Sequence, residues 1–216
     1  MVRYIDVHPV DPQPRALQQV TDVLGAGGLI AYPTDSGYAL GAKLGNADAI
    51  ERIRAIRQLD DKHHFTLVCR DFSQLGQVVH VDNTVFRAVK AATPGAYTFI
   101  LPATKEVPRR LLQAKKKTVG VRIPDHRIAL ALVEALGEPL LSTTLILPGE
   151  TEAMTQAWQI VDALDGRIDA VIESGEELVP EPTTVIDLTE GYAEIVRVGA
   201  GDTTPFECGC SQTDGF

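Results

Sequence analysis

"IAYPTDSGYALGAKLG", residues 30–45, is the stretch on which the reading of this chain turns. It opens as a buried strand, with Leu29, Ile30, Ala31 and Tyr32 all apolar or aromatic. Pro33 is expected to end that run, because proline brings no N–H to a sheet ladder. Thr34, Asp35, Ser36, Gly37 and Tyr38 follow, with Gly41 and Gly45 close behind. Hydroxyls and glycines at the end of a buried strand let backbone N–H groups and short side chains approach a small ligand. The same residues also suit a plain turn in which Gly37 takes dihedrals closed to other residues. Residue types alone leave both readings open. A phosphate loop of the form G-x-x-x-x-G-K-[ST] is absent, as is a strand followed by G-x-G-x-x-G.

Outward from this stretch, helix and strand signals alternate. Residues 14–24 carry Ala16, Leu17, Val20, Val23 and Leu24 at helical spacing, and "GAGG" stops them. Asn46 is placed to cap a helix that runs to about Arg57, and Asp82 to cap another bearing Val85, Phe86 and Val89. Strands are expected at 65–69, after a turn within 93–101, at 118–123, within "PLLSTTLIL", and near 168–172, 183–188 and 194–198. A short helix is expected in "EVPRRLLQA", a helix from about His126 to Leu136 stopped by Gly137, and another over roughly 151–164. The last two strands leave no room for a helical crossover, so the sheet is mixed and the class is α/β.

At 216 residues, with 44% hydrophobic and 23% charged, one domain is expected, spanning 12–201 with a flexible tail over 202–216. No apolar run approaches the roughly 20 residues that cross a bilayer, and "MVRYIDVHPVDPQPR" lacks the apolar centre of a signal peptide. A cytoplasmic protein without membrane contact is the expectation. Cys69 ends the apolar run "FTLVC" and reads as a small buried residue, while Cys208 and Cys210 form a C-x-C pair with no second cluster. Neither a metal site nor a disulfide framework is expected. The net charge of −9 is unevenly spread. Between Lys43 and Arg127 there are 16 Lys and Arg against 8 Asp and Glu, leaving 4 against 21 elsewhere. A basic middle inside an acidic chain can draw an anionic ligand locally.

Arg54 and Arg57 are three apart on a helix face, and with Lys62 beyond the helix end they can grip phosphates or form a solvated face. His63 and His64 read as surface residues. Arg122 sits inside the apolar strand "VGVRIP", so it must meet a carboxylate or a ligand anion, and Asp125 is a candidate internal partner. Ser142, Thr143 and Thr144 end another strand, and Thr183, Thr184 and Arg197 lie near strand edges. No Ser-His-Asp order, zinc spacing or carboxylate pair is visible. Arginine, hydroxyl and glycine at strand ends are the recurring theme, which suits phosphate and a small polar substrate.

Taken in order, "YPTDSGYALG", "TPGAYTFIL", "VGVRIPDH", "LSTT" and "PTTVIDL…IVRVG" resemble the YrdC/YciO family over about residues 12–201, and "IRQL…FTL.CRD" resembles its YciO branch. The resemblance implies a single α/β domain with a twisted mixed sheet, flanking helices and a concave basic face. It implies a nucleotidyltransferase that forms threonylcarbamoyl-adenylate and pyrophosphate from L-threonine, bicarbonate and ATP, with Mg²⁺ bridging phosphates. Other proteins then pass the threonylcarbamoyl group to certain tRNAs. Double-stranded RNA binding is a second implied property, and an RNA- or nucleotide-binding protein with little or no turnover is the competing reading. Carried onto this sequence, the catalytic residues are Arg57, Arg122 and Thr144. Substrate and nucleotide would be held by Thr34, Ser36, Tyr38, Arg54, Lys62, Thr66, Ser142, Thr143, Thr184 and Arg197. Two departures stand out. Where the synthases carry K-x-R this chain has Arg57-Gln58-Leu59, and where they carry S-x-N it has Thr144-Leu145-Ile146. Lys62 is expected to replace the missing cation.

Overall fold

A computed structural model describes residues 1–59, 65–113 and 115–207. In chain order the elements are β1 (Arg3–Asp6), α1 (Pro14–Gly25), β2 (Ile30–Thr34), β3 (Gly37–Lys43), α2 (Ala47–Arg57), β4 (Thr66–Val68), α3 (Phe72–Val78) and α4 (Asn83–Ala92). Then come β5 (Tyr97–Pro102), β6 (Thr118–Arg122), α5 (Arg127–Leu136), β7 (Leu140–Thr144), α6 (Ala157–Leu164), β8 (Ala170–Glu173), β9 (Thr184–Asp187) and β10 (Glu194–Arg197). The strands form one sheet of ten in the order β1-β8-β2-β3-β7-β4-β6-β5-β9-β10. Pairing is mixed: β2 with β8, β4 with β6 and β5 with β9 are parallel, while β2–β3, β3–β7 and β9–β10 are antiparallel.

Helix ends follow their capping chemistry. Asn46 accepts from the Ala49 amide, and Asp82 accepts from Thr84 and Val85, as the sequence indicates. Gly137 closes α5 at φ 75°. Helix α1 turns Leu17, Val20, Val23 and Leu24 inward and packs with Ile128, Ala129, Leu132 and Val133 of α5 on one face of the sheet. The larger core on the other face gathers Ile50, Ile53 and Ile56 of α2, Val85 and Val89 of α4, and Ile160 and Leu164 of α6. Helices α1 and α5 thus cover only part of their face. The uncovered part, across β7, β4, β6, β5 and β9, becomes the floor of a cavity.

The opening stretch departs from its sequence reading. Pro33 does not end the strand: β2 runs to Thr34, and the glycine-rich segment after it is β3, a central strand. The glycines are there because space is short. A Cβ on Gly41 would stand 2.9 Å from the Tyr32 ring on the neighbouring strand, and Gly37 sits at φ 89° with a Cβ position 2.7 Å from that of Ala153. The helix expected over 151–164 begins only at Ala157, and β1 and α3 have no counterpart in the sequence reading. Packed chain also extends past residue 202, since Phe206 is buried against Tyr97 and Phe99.

Candidate active site

The cavity encloses about 420 Å³. Its floor is the row of side chains that alternation places on the bare face: Thr66 and Val68 from β4, Gly120 and Arg122 from β6, Thr98 and Ile100 from β5, and Val185 from β9. One end is closed by Thr34 and Ser36 of the β2–β3 turn, and the side by Ser142, Thr143 and Thr144 of β7 with Ile146 beyond it. Val196 and Arg197 of the edge strand β10 form the far wall.

Three guanidinium groups face this space, each held differently. Arg57, the last residue of α2, donates from Nε to the Ile146 carbonyl at 3.2 Å and from Nη1 to the Thr143 hydroxyl at 2.8 Å. Arg197 donates from Nε and Nη2 to the Thr183 carbonyl at 3.0 and 2.8 Å, and from Nη2 to the Thr183 hydroxyl at 3.1 Å. Among the described residues neither meets a carboxylate. Burial lowers the pKa of both, and for Arg197 the nearby positive charge of Arg122 adds to it. Each still carries its proton at neutral pH, so Arg57 is a partly buried cation and Arg197 a more exposed one, both with neutral partners among the described residues.

Arg122 is 7% exposed. It is paired with Asp35, not with the Asp125 that sequence proximity suggested: Nη2 donates to Asp35 Oδ1, and Nη1 donates to the Ser36 hydroxyl at 3.2 Å. Asp125 contributes only its backbone N–H, donated to Asp35 Oδ2 at 3.1 Å. The Ser36 hydroxyl in turn shares a hydrogen bond with Thr34 Oγ1 at 3.2 Å, and Thr34 donates to the Gly37 carbonyl at 2.7 Å. Arg122 Nε is buried and has no hydrogen-bond partner among the described residues, so one donor at this end still lacks an acceptor there.

The structure therefore brings Arg57, Arg122, Arg197, Thr34, Ser36, Thr66, Ser142, Thr143 and Thr144 to one cavity. It places three other expected residues elsewhere. Tyr38 is one residue out of phase: Ala39 lines the cavity, so the Tyr38 ring enters the opposite core, where its hydroxyl donates to the Ile172 carbonyl at 2.8 Å. Thr184 is likewise out of phase with Thr183 and Val185. It is fully buried, and its hydroxyl donates to the Gly201 carbonyl at 2.6 Å. Arg54 lies over the Phe65 ring, 5.3 Å from its centroid, away from the cavity lining. Lys62, His63, His64, Cys208 and Cys210 lie outside the described residues.

Sequence reasoning missed Tyr32, Asp35 and Thr98 as lining or supporting groups, and it placed Thr183 near a strand edge without giving it a role. Tyr32 and Ser142 share a hydrogen bond of 2.7 Å, and burial pushes the phenol up to about 12. Thr98 and Thr183 share one of 2.9 Å. Asp35 had a signal, being the one carboxylate in a turn that must neutralise a buried arginine. Thr98 had only the alternation of its strand, and Thr183 its place near a strand edge.

A family model for Sua5, YciO and YrdC proteins, described as "Telomere recombination", matches residues 22–199. The protein YciO of Escherichia coli strain K12 is 52% identical over 206 residues, covering 95% of this chain and all of that protein. A Haemophilus influenzae protein is 51% identical over 208 residues, with 95% and 100% covered. The crystal structure of E. coli YciO superposes with a TM-score of 0.91, covering 95% of this chain and 100% of that one. P. abyssi Sua5 complexed with L-threonine superposes with a TM-score of 0.82 at 28% identity, over 91% of this chain and 57% of the longer Sua5 chain. With matching sequence, superposable fold and near-complete coverage, the chain belongs to the Sua5/YciO/YrdC family, in its YciO branch.

Proposed function

We propose that the chain makes threonylcarbamoyl-adenylate and pyrophosphate from L-threonine, bicarbonate and ATP. The observation that carries this reading is the charge of the cavity: among the described residues Arg57 and Arg197 face it without a carboxylate, beside Arg122 with its unpartnered Nε. Cations whose only partners are carbonyls and hydroxyls are stabilised by an anion placed among them, and a triphosphate supplies several negative charges. The complex of P. abyssi Sua5 with L-threonine supports the amino acid as co-substrate.

The reaction needs no side-chain nucleophile. The threonine amine attacks the carbon of CO₂ formed from bicarbonate and loses a proton. A carbamate oxygen then attacks the α-phosphorus of ATP, and the bond from that phosphorus to the bridging oxygen breaks to release pyrophosphate. The protein contributes positioning and charge neutralisation. In this reading Arg57 and Arg197 hold phosphates, and Arg122, oriented by Asp35, binds a carboxylate or phosphate oxygen through its outward edge. The hydroxyls of Thr34, Ser36, Ser142 and Thr144 orient the polar ends of the substrates. Among the described residues no three His, Cys, Asp or Glu side chains cluster as metal ligands. Magnesium would enter with ATP, bound to substrate phosphates.

A second reading, a nucleotide- or double-stranded-RNA-binding protein with weak or no turnover, is favoured by Leu59 and Ile146. Leu59 packs against the core, and Ile146 presents an apolar side chain to the cavity where the synthases carry an amide. Pyrophosphate release decides between the two. Release that requires threonine and bicarbonate together is expected. Binding of ATP or RNA with no such release would replace the first reading by the second.

A further inference from the structure

His126 opens α5 with Nδ1 accepting from the Ala129 amide at 3.4 Å. A ring nitrogen that accepts carries no hydrogen, so the neutral imidazole keeps its proton on Nε2. That N–H is buried and makes no hydrogen bond among the described residues. Glu176 Oε2 lies 3.3 Å from it, near enough to be its acceptor but out of line for one. Arg122 Nε is the only other buried side-chain atom left without a partner among the described residues. Asp35, Arg122 and Glu176 are the charged groups acting on the ring, and Asp125 and Arg127 flank it in sequence.

Glu176 belongs to the strap, residues 174–182, that joins β8 to β9. The strap passes over the β2–β3 turn, with Pro180 Cα 3.7 Å from where a Cβ on Gly37 would stand. It is anchored at its start, where the Glu173 carboxylate accepts from the Gly175 amide at 2.7 Å and the Ser174 hydroxyl accepts from the Glu176 amide at 3.3 Å. Beyond that, among the described residues, no hydrogen bond is made by the amides of Glu177, Leu178, Val179 or Glu181. A segment with so few backbone ties depends on its side chains for position.

We propose that His126 is a positioning residue: its Nε2–H takes the Glu176 carboxylate as acceptor when the strap settles over the Asp35–Gly37 turn. This latch keeps Asp35 where it aims Arg122 into the cavity. The link to Arg122 rests on the anion-binding reading above, whereas the latch itself does not.

The test compares the whole chain with Glu176→Ala, Glu176→Gln and His126→Asn. Asparagine keeps an acceptor for the Ala129 amide, so α5 retains its cap while the ring N–H is lost. Amide hydrogen exchange of residues 175–182 and calorimetric titration with inorganic pyrophosphate are the readouts. Glu176→Ala and His126→Asn are expected to speed strap exchange about tenfold and leave β6 unchanged. Both are expected to weaken pyrophosphate binding about five- to tenfold, while Glu176→Gln, which keeps an acceptor oxygen, stays within about twofold of wild type. Unchanged strap exchange in both disabling variants overturns the latch. Faster exchange with unaltered affinity overturns its link to Arg122. A wild-type chain that does not bind pyrophosphate counts against the function proposed above, and strap exchange still decides the latch.

Discussion

Arg122 carries its charge into the sheet, and Asp35 makes that tolerable. The two side chains are 8% and 13% exposed, so removing one leaves the other as a buried unpaired charge. Asp35→Ala is therefore expected to cost about 3 kcal/mol in urea unfolding, whereas Asp35→Ala with Arg122→Met costs much less, because no charge is stranded. Equal losses in the single and double variants would contradict the pairing. The sequence made Arg122's need for a partner legible, since an arginine inside "VGVRIP" cannot stay uncompensated. It did not identify the partner, because Asp35 is 87 residues away and only the folded sheet brings the two together. Tyr38 and Thr184 were misplaced for a narrower reason. Strand side chains alternate, so an error of one residue in phase moves a group from the cavity to the core.

Elements that depend on local chemistry were readable, and those that depend on neighbours were not. The caps of α2 and α4 at Asn46 and Asp82, and the stop of α5 at Gly137, follow from residue type and spacing. Strand β3 was hidden because its glycines look like a loop, when in fact the Tyr32 ring and Ala153 leave no room for side chains. Gly37→Ala should destabilise the chain by about 2 kcal/mol or more, from the positive φ and the 2.7 Å approach to Ala153 together, as measured by the urea midpoint. A loss under 0.5 kcal/mol, the size of an ordinary surface change, would contradict the close packing. The cap of α5 carries a pH signature. Burial holds the His126 pKa below its ordinary 6.5, so below that value the unfolded chain binds the proton more readily. Protonation also removes the acceptor used by Ala129. Stability from this group is complete above pH 6.5 and is lost as pH falls through the lower folded value. Between pH 7 and 5 the wild-type urea midpoint should fall further than that of His126→Asn, and parallel curves would remove the assignment.

At the scale of the molecule, the ten strands and six helices of the described residues leave part of one sheet face bare, and the function proposed here depends on what that face displays. The charge imbalance along the sequence anticipated this only in part. Arg57 and Arg122 come from the basic middle, but Arg197 comes from the acidic remainder, and Lys105, Arg109 and Lys117 line a separate hollow. The central claim is that Arg57 and Arg197, which meet no carboxylate among the described residues, make the cavity a site for a polyanion. Calorimetric titration of ATP into the wild-type chain, Arg57→Met and Arg197→Met tests it most directly. Each substitution removes a charge-assisted contact and a cation without a carboxylate among the described residues, so each should weaken ATP about tenfold or more while leaving the unfolding midpoint nearly unchanged. Affinity equal to wild type in both variants, with the fold intact, would contradict the account.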